Sequence, residues 1–173
     1  MTLIVYSKGV LYADDRVIRS EYEGSQQIES AQKIHITDCR RVAVAYLGAI
    51  PWRLDLELIT KVVAAAAITA ELDRKALAID DELVSSITSK GKTDFIVMTW
   101  KNAYKFEGIE PFTLHPGKDH AYGSGSDSFF LCRAAGLTVP QSYLKVSEVV
   151  RTVSNNVQTV KQSTLKRIKA IRA

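Results

Sequence analysis

The residue that offers chemistry first is Thr2, one place behind the initiator methionine. Once Met1 is removed, Thr2 carries a nucleophilic hydroxyl and a free α-amine on the same residue. The amine can accept the hydroxyl proton directly or through water, which is one of the known ways to activate a threonine. The chemistry implied is acyl transfer, with attack on a carbonyl and an acyl intermediate on the side-chain oxygen. Thr2 opens directly into the apolar, β-prone run Leu3-Ile4-Val5-Tyr6-Ser7.

Other reactive types are arranged less suggestively. His35, His115 and His120 lack the spacing of a metal-ligand motif, and no metal or other cofactor is expected. Gly123-Ser124-Gly125 lacks the surroundings of a phosphate loop or dinucleotide fingerprint. Cys39 and Cys132 are far apart and belong to no ligand cluster, which fits a reduced, cytoplasmic protein.

The elements that must position such chemistry follow from the pattern. Leu3 to Ser7 and Val10 to Ala13 read as strands joined at Lys8-Gly9, with charge arriving abruptly at Asp14-Asp15-Arg16. Val17-Ile18 resumes a short strand, and the polar stretch Ser20 to Ser30 reads as a loop. Lys33-Ile34-His35-Ile36 alternates as a half-buried strand does, and Arg41 to Leu47 is an apolar strand ending at Gly48. Leu54 to Leu72 is the clearest helix. Leu54, Leu58, Val62, Ala65 and Thr69 form one stripe and Ile59, Val63, Ala66 and Ala70 another, a width that suits burial on more than one side. A second helical segment runs from about Asp73 to Ser89.

Three strands follow, Phe95 to Trp100, Ala103 to Phe106 and Ile109 to Leu114, with Pro111 marking an edge or a strand end. A short helix covers Phe129 to Ala135 and stops at Gly136. Ser142 reads as the N-cap of a helix from Tyr143 to about Val153, and Thr164 to Ile171 as a last helical piece. The order of elements fits a layered α/β (α+β) protein with mostly antiparallel strands.

In this order the chain resembles the β-type subunits of the proteasome, and within that superfamily the peptidase subunit of the bacterial ATP-dependent two-component protease. The resemblance rests on several short stretches: Thr2-Leu3-Ile4-Val5; Val10-Leu11-Tyr12-Ala13-Asp14-Asp15; Lys33-Ile34; Ala43-Val44-Ala45-Tyr46-Leu47-Gly48; and Ala121-Tyr122-Gly123-Ser124-Gly125. It implies the N-terminal-nucleophile hydrolase fold, a four-layer αββα sandwich of two antiparallel sheets. It also implies a homo-oligomeric ring, a peptide or protein substrate and an ATPase partner.

The site it implies is Thr2 as nucleophile, Lys33 as the catalytic lysine, Gly48 at the oxyanion and Ser124 approaching the nucleophile. Asp15 is matched to the aspartate at the end of the second strand, with Asp14 as its rival. A Lys33 ammonium would favour the neutral, basic form of the Thr2 amine. Asp15 would orient that lysine, and the Gly48 N–H would point at the developing oxyanion.

Two stretches depart from the pattern. Where the superfamily has a late aspartate followed by a serine, this chain has Ser154-Asn155-Asn156-Val157-Gln158, and an amide supplies no negative charge. After Gly48 stands Ile50-Pro51-Trp52, which narrows a substrate groove, lines a pocket or serves an interface. An inactive, ring-forming structural or binding homologue is therefore the alternative to an active threonine peptidase or amide hydrolase.

The net charge of +4 is unevenly placed. From Lys161 to Ala173 there are five basic residues and no acidic one, leaving 18 basic against 19 acidic groups elsewhere, a net of −1. The chain thus divides into a domain over 1–160 and a basic C-terminal tail over 161–173. The tail is read as a solvated helix end before a nucleic-acid contact or a docking segment, so nucleic acid is an unlikely partner. No stretch reaches the length of a membrane span and no signal segment opens the chain, so a cytoplasmic location is expected.

Overall fold

A computed structural model describes residues 3–20, 26–47, 56–73, 94–107 and 110–168 of the 173-residue chain. The strands are Leu3–Ser7 (β1), Val10–Asp14 (β2), Arg16–Ser20 (β3), Gln26–Ser30 (β4), Ile34–Ile36 (β5), Val42–Leu47 (β6), Asp94–Thr99 (β7), Ala103–Glu107 (β8), Glu110–Thr113 (β9), His120–Gly123 (β10) and Val157–Lys161 (β11). The helices are Leu56–Asp73 (α1), Ser126–Ala134 (α2) and Val139–Val149 (α3).

Two antiparallel sheets make the body, one in the order β10-β1-β2-β11 and one in the order β5-β6-β7-β8-β9. A two-stranded ribbon, β3-β4, stands apart from them.

The alternation of side chains along each strand builds the layers. In β1, Ile4 and Tyr6 pack with Ala43, Ala45, Ile96 and Met98 of the other sheet, while Leu3 and Val5 pack with Phe129, Tyr143 and Val146 of α2 and α3. In β6, Ala43 and Ala45 take the sheet-facing side, and Val42, Val44 and Tyr46 take the side against Val63, Ala64 and Ala67 of α1. The sequence of layers is helix, sheet, sheet, helices. Because both faces of β1 and β6 are covered, every residue of each is buried. This is the four-layer αββα sandwich that the resemblance implies.

Several local expectations hold for physical reasons. Lys8 and Gly9 both have positive φ (49° and 73°), the geometry of a tight two-residue hairpin turn. Pro111 sits on β9, at the edge of its sheet, where a missing N–H costs no ladder bond. Gly136 has φ 86° just past α2, as a helix-terminating glycine does.

Others are corrected. The stretch expected as a loop over Ser20 to Ser30 contains β4, paired to β3. Of the expected stripe on α1, Ala65 and Thr69 face solvent, and the buried line is Thr60, Val63, Ala64, Ala67 and Ala70. The helix expected at Tyr143 begins at Val139. Its N-cap is Thr138, whose side chain accepts from the Gln141 N–H in a capping box, with Pro140 in the first turn, while Ser142 is interior.

The helix expected to run to about Val153 ends at Val149, a turn segment follows, and β11 then pairs with β2 from Val157↔Asp14 to Lys161↔Val10. This strand reaches into the segment assigned to the basic tail. The last helical piece is a single 3-10 turn, Gln162–Thr164, followed by non-helical chain through residue 168. Of the helical segment expected from Asp73 to Ser89, Asp73 is the last residue of α1 and the remainder lies outside the described residues.

Candidate active site

The site is assembled where β1 begins, β2 ends and β5 begins. Lys33 is 3% exposed and Asp14 0%, so this ion pair is taken almost wholly out of water. Lys33 Nζ donates to Asp14 Oδ1 at 2.6 Å. The same Oδ1 accepts the Leu3 N–H at 3.1 Å, and Oδ2 accepts the Ser154 N–H at 3.3 Å. Asp14 therefore ties the first strand, the lysine and the turn before β11 to one carboxylate. Such a pair is costly to bury and is held here by its hydrogen bonds.

Burial pushes the Lys33 ammonium below the ordinary lysine range, and the neighbouring Asp14 carboxylate only partly offsets that. A lysine so placed gives up its proton more readily than an exposed one.

The carboxylate that meets Lys33 is Asp14 rather than Asp15. The chain leaves the strand at Asp14, and Asp15 turns to other partners: it accepts from Ser30 Oγ and, at 2.6 Å, from Asn156 Nδ2. Its backbone is pinned as well, with Ala31 N–H donating to Asp15 O at 2.7 Å and Asp15 N–H donating to Asn156 O at 3.3 Å. Burial alone would raise the Asp15 carboxyl, but hydrogen bonds from Ser30, Ser154 and Asn156 outweigh it and hold the group below its ordinary value. Asp15, Ser30, Asn156 and Gln158 border an open cleft of about 510 Å³ between the edges of the two sheets.

Ser124 Oγ lies 2.7 Å from Thr152 Oγ1, in the loop after β10. The two glycines beside it have separate reasons. Gly123 has φ 101°, which favours a residue without a Cβ. A Cβ on Gly125 would sit 2.9 Å from Val146 Cγ1 and 3.1 Å from Val153 Cγ2. Gly125 is the N-cap of α2. Thr2, Gly48, Pro51 and Trp52 lie outside the described residues.

Three contributors were not among the site residues assigned from the sequence. Gln158 on β11 accepts both the Lys33 N–H (2.9 Å) and the Ile34 N–H (3.1 Å) through Oε1, and donates to Ala31 O (2.9 Å) through Nε2. Tyr143 of α3 donates its hydroxyl to Leu3 O, and Asn156 supplies the amide to Asp15. The polar–apolar alternation Val157-Gln158-Thr159-Val160-Lys161 was the available signal for the first of these. Among the described residues no His, Cys, Asp and Glu cluster is arranged to hold a metal ion.

Compared with known structures, the chain is similar to eukaryotic HslV from Trypanosoma brucei, with TM-score 0.61 and 15% identity over 92% of this chain and 97% of that one. It is similar also to BPH of Thiobacillus denitrificans, with TM-score 0.53 and 16% identity over 92% and 95%. The structure of that BPH in complex with Epoxomicin matches at TM-score 0.50 and 15% identity over 92% and 96%. The fold is that of the N-terminal-nucleophile hydrolases. No family model and no curated protein matches the chain in sequence. Within that fold the Asp14–Lys33 pair sits where the first strand starts and the second ends.

Proposed function

We propose that the chain is a proteasome-like threonine hydrolase of peptide or amide bonds, acting through Thr2 once Met1 is removed. The observation that carries this reading is the buried Lys33–Asp14 pair bonded to the Leu3 N–H. That amide nitrogen is covalently joined to the Thr2 carbonyl carbon, about 1.33 Å away, so the pair stands within one residue of the proposed nucleophile.

In this mechanism the Thr2 α-amine takes the hydroxyl proton as the oxygen attacks the scissile carbonyl. Lys33, with its ammonium held low by burial, keeps the amine neutral by charge repulsion and relays protons. Asp14 fixes the lysine's position, and the Gly48 N–H receives the developing oxyanion. Ser124 approaches the nucleophile from β10, whose register opposite β1 runs from Tyr6↔His120 to Leu3↔Gly123. Proton return to the leaving amine releases the first product, and water then attacks the acyl ester on Thr2 to release the second.

From the resemblance to the two-component protease subunits we assign the protein to a homo-oligomeric ring with an ATPase partner, and from its sequence to the cytoplasm. No described helix is long and apolar enough to cross a membrane.

A second reading keeps the shell without the chemistry. It is favoured by the Asn155-Asn156 pair, one member of which stands where the resemblance calls for a carboxylate, and the Asn156 amide donates to Asp15. Hydrolysis of a fluorogenic peptide library separates the two. Turnover by the wild type, lost in Thr2→Ala and partly kept in Thr2→Ser, supports the hydrolase. Equal rates for wild type and Thr2→Ala contradict it.

A further inference from the structure

A second cleft opens at the other end of β1, one strand length or about 15 Å from the Asp14–Lys33 pair. It has a volume of about 570 Å³, and its lining includes Lys8, Gly9, Trp100, Lys161, Gln162 and Ser163. Among the described residues, two lysines and no carboxylate stand in that lining. The acidic group whose field reaches Lys8 is Asp119, and that carboxylate is already held by Ser7 and by Arg133 at 2.6 Å.

The start of the basic tail is folded against the same end. The Arg167 guanidinium lies 4.1 Å from the centre of the Trp100 ring, and the Lys166 N–H donates to Arg40 O at 2.7 Å. The positive charge that the composition concentrates after residue 160 is thus partly gathered beside this cleft.

Two further observations bear on a ligand. Lys8 has φ 49°, a left-handed conformation that costs a side-chain-bearing residue about 1–2 kcal/mol and that glycine or asparagine would take more easily. A lysine kept there sets its charge at the lip of the cleft at the expense of the turn. The side-chain nitrogen of Gln162 is buried and meets no acceptor among the described residues, while its oxygen accepts from Tyr6 Oη at 3.1 Å. A turn of this amide toward the cleft, whose wall Gln162 forms, would let an oxygen atom brought by a ligand supply the missing acceptor.

We propose that this cleft binds an acidic peptide segment, with carboxylates on Lys8 and Lys161 and a peptide or side-chain oxygen against the Gln162 amide. The size suits a short peptide better than a nucleic-acid track. Single-stranded nucleic acid needs successive stacking surfaces, whereas the one aromatic ring in this lining already has a guanidinium over it. The site is separate from the hydrolase chemistry and does not depend on it.

Isothermal titration of the full chain with an acetylated hexaglutamate peptide tests the assignment, alongside a twelve-residue oligothymidylate. Saturable binding of the peptide is expected. It should weaken by about tenfold in Lys8→Gly and in Lys161→Gln, the scale of one charge-assisted hydrogen bond, and weaken again with added salt. Lys8→Gly should keep or raise the thermal midpoint, because glycine suits the turn, so lost binding there is not lost folding. Absence of saturable binding, unchanged affinity in both variants, or tighter binding of the oligothymidylate than of the peptide would overturn the proposal.

Discussion

Lys33 Nζ and Asp14 Oδ1 meet at 2.6 Å with almost no water around either side chain. Asp14 is shared with the Leu3 N–H and the Ser154 N–H, so the pair fixes three parts of the chain at once. Removing one partner leaves the other charge buried. Asp14→Ala should therefore destabilise the protein by about 3–5 kcal/mol, read from denaturant unfolding. Asp14→Leu combined with Lys33→Met removes both charges and should recover most of that loss while remaining without hydrolytic activity. Recovery of activity in the double variant would contradict the role given to the pair.

Asp14 and Asp15 should separate in function as they do in geometry. Asp14→Asn is expected to lower kcat by two orders of magnitude or more, on the scale of general acid–base catalysis. Asp15→Asn keeps the Lys33 contact and should retain most of kcat. Steady-state kinetics on one peptide substrate decides between them, and the reverse ranking would return the catalytic role to Asp15.

The difference between these two aspartates also shows how far the sequence reaches. Leu11 and Ala13 face the other sheet, and continuing that alternation puts Asp15 on the same side, toward Lys33. But β2 ends at Asp14, and past it the chain follows hydrogen bonds to Ala31 and Asn156 that no local pattern encodes. The layered order of the core strands was legible because burial on both faces of β1 and β6 leaves nearly continuous apolar runs. β11 was not, since an edge strand with one partner keeps polar residues such as Gln158 and Lys161. For the candidate site, Lys33 was singled out through resemblance and lies against Asp14, whereas Ser124, singled out the same way, meets Thr152; Gln158 and Tyr143 act through contacts to residues more than a hundred positions away.

Acid titration gives a check on Asp15. Its pKa lies below 3.8, so the folded state binds fewer protons than the unfolded state as pH falls toward that range. The stabilisation is fully present above about pH 4 and is lost as pH drops through the folded-state value. Asp15→Asn should flatten the acid limb of the stability curve measured between pH 5 and pH 2, in chemical-denaturation experiments at about 25 °C. An acid limb identical to that of the wild type would contradict the assigned hydrogen bonds.

Gly125 is a packing position. A methyl group there meets Val146 Cγ1 at 2.9 Å and Val153 Cγ2 at 3.1 Å, beneath the first residue of β1. Gly125→Ala should cost about 1–3 kcal/mol by overpacking. Pairing it with Val146→Ala should restore part of the loss, a coupling that a double-mutant cycle of unfolding free energies would reveal.

Gln158 should matter to the lysine without touching the reacting atoms. Gln158→Ala removes the acceptor of two amides and should cost about 1–3 kcal/mol. Its kcat should fall more than its KM rises, because the backbone that carries Lys33 loses its anchor. Unchanged kcat with a raised KM would place Gln158 in substrate binding alone.

The central claim is that Thr2 becomes the first residue and acts as the nucleophile beside Lys33. It is tested most directly by intact mass and N-terminal peptide mapping after incubation with a peptide electrophile. A single adduct on a chain beginning at Thr2, absent in Thr2→Ala and slowed in Lys33→Ala, is the predicted result. A chain that still begins with Met1 and carries no adduct in cell-derived, assembled protein would contradict it.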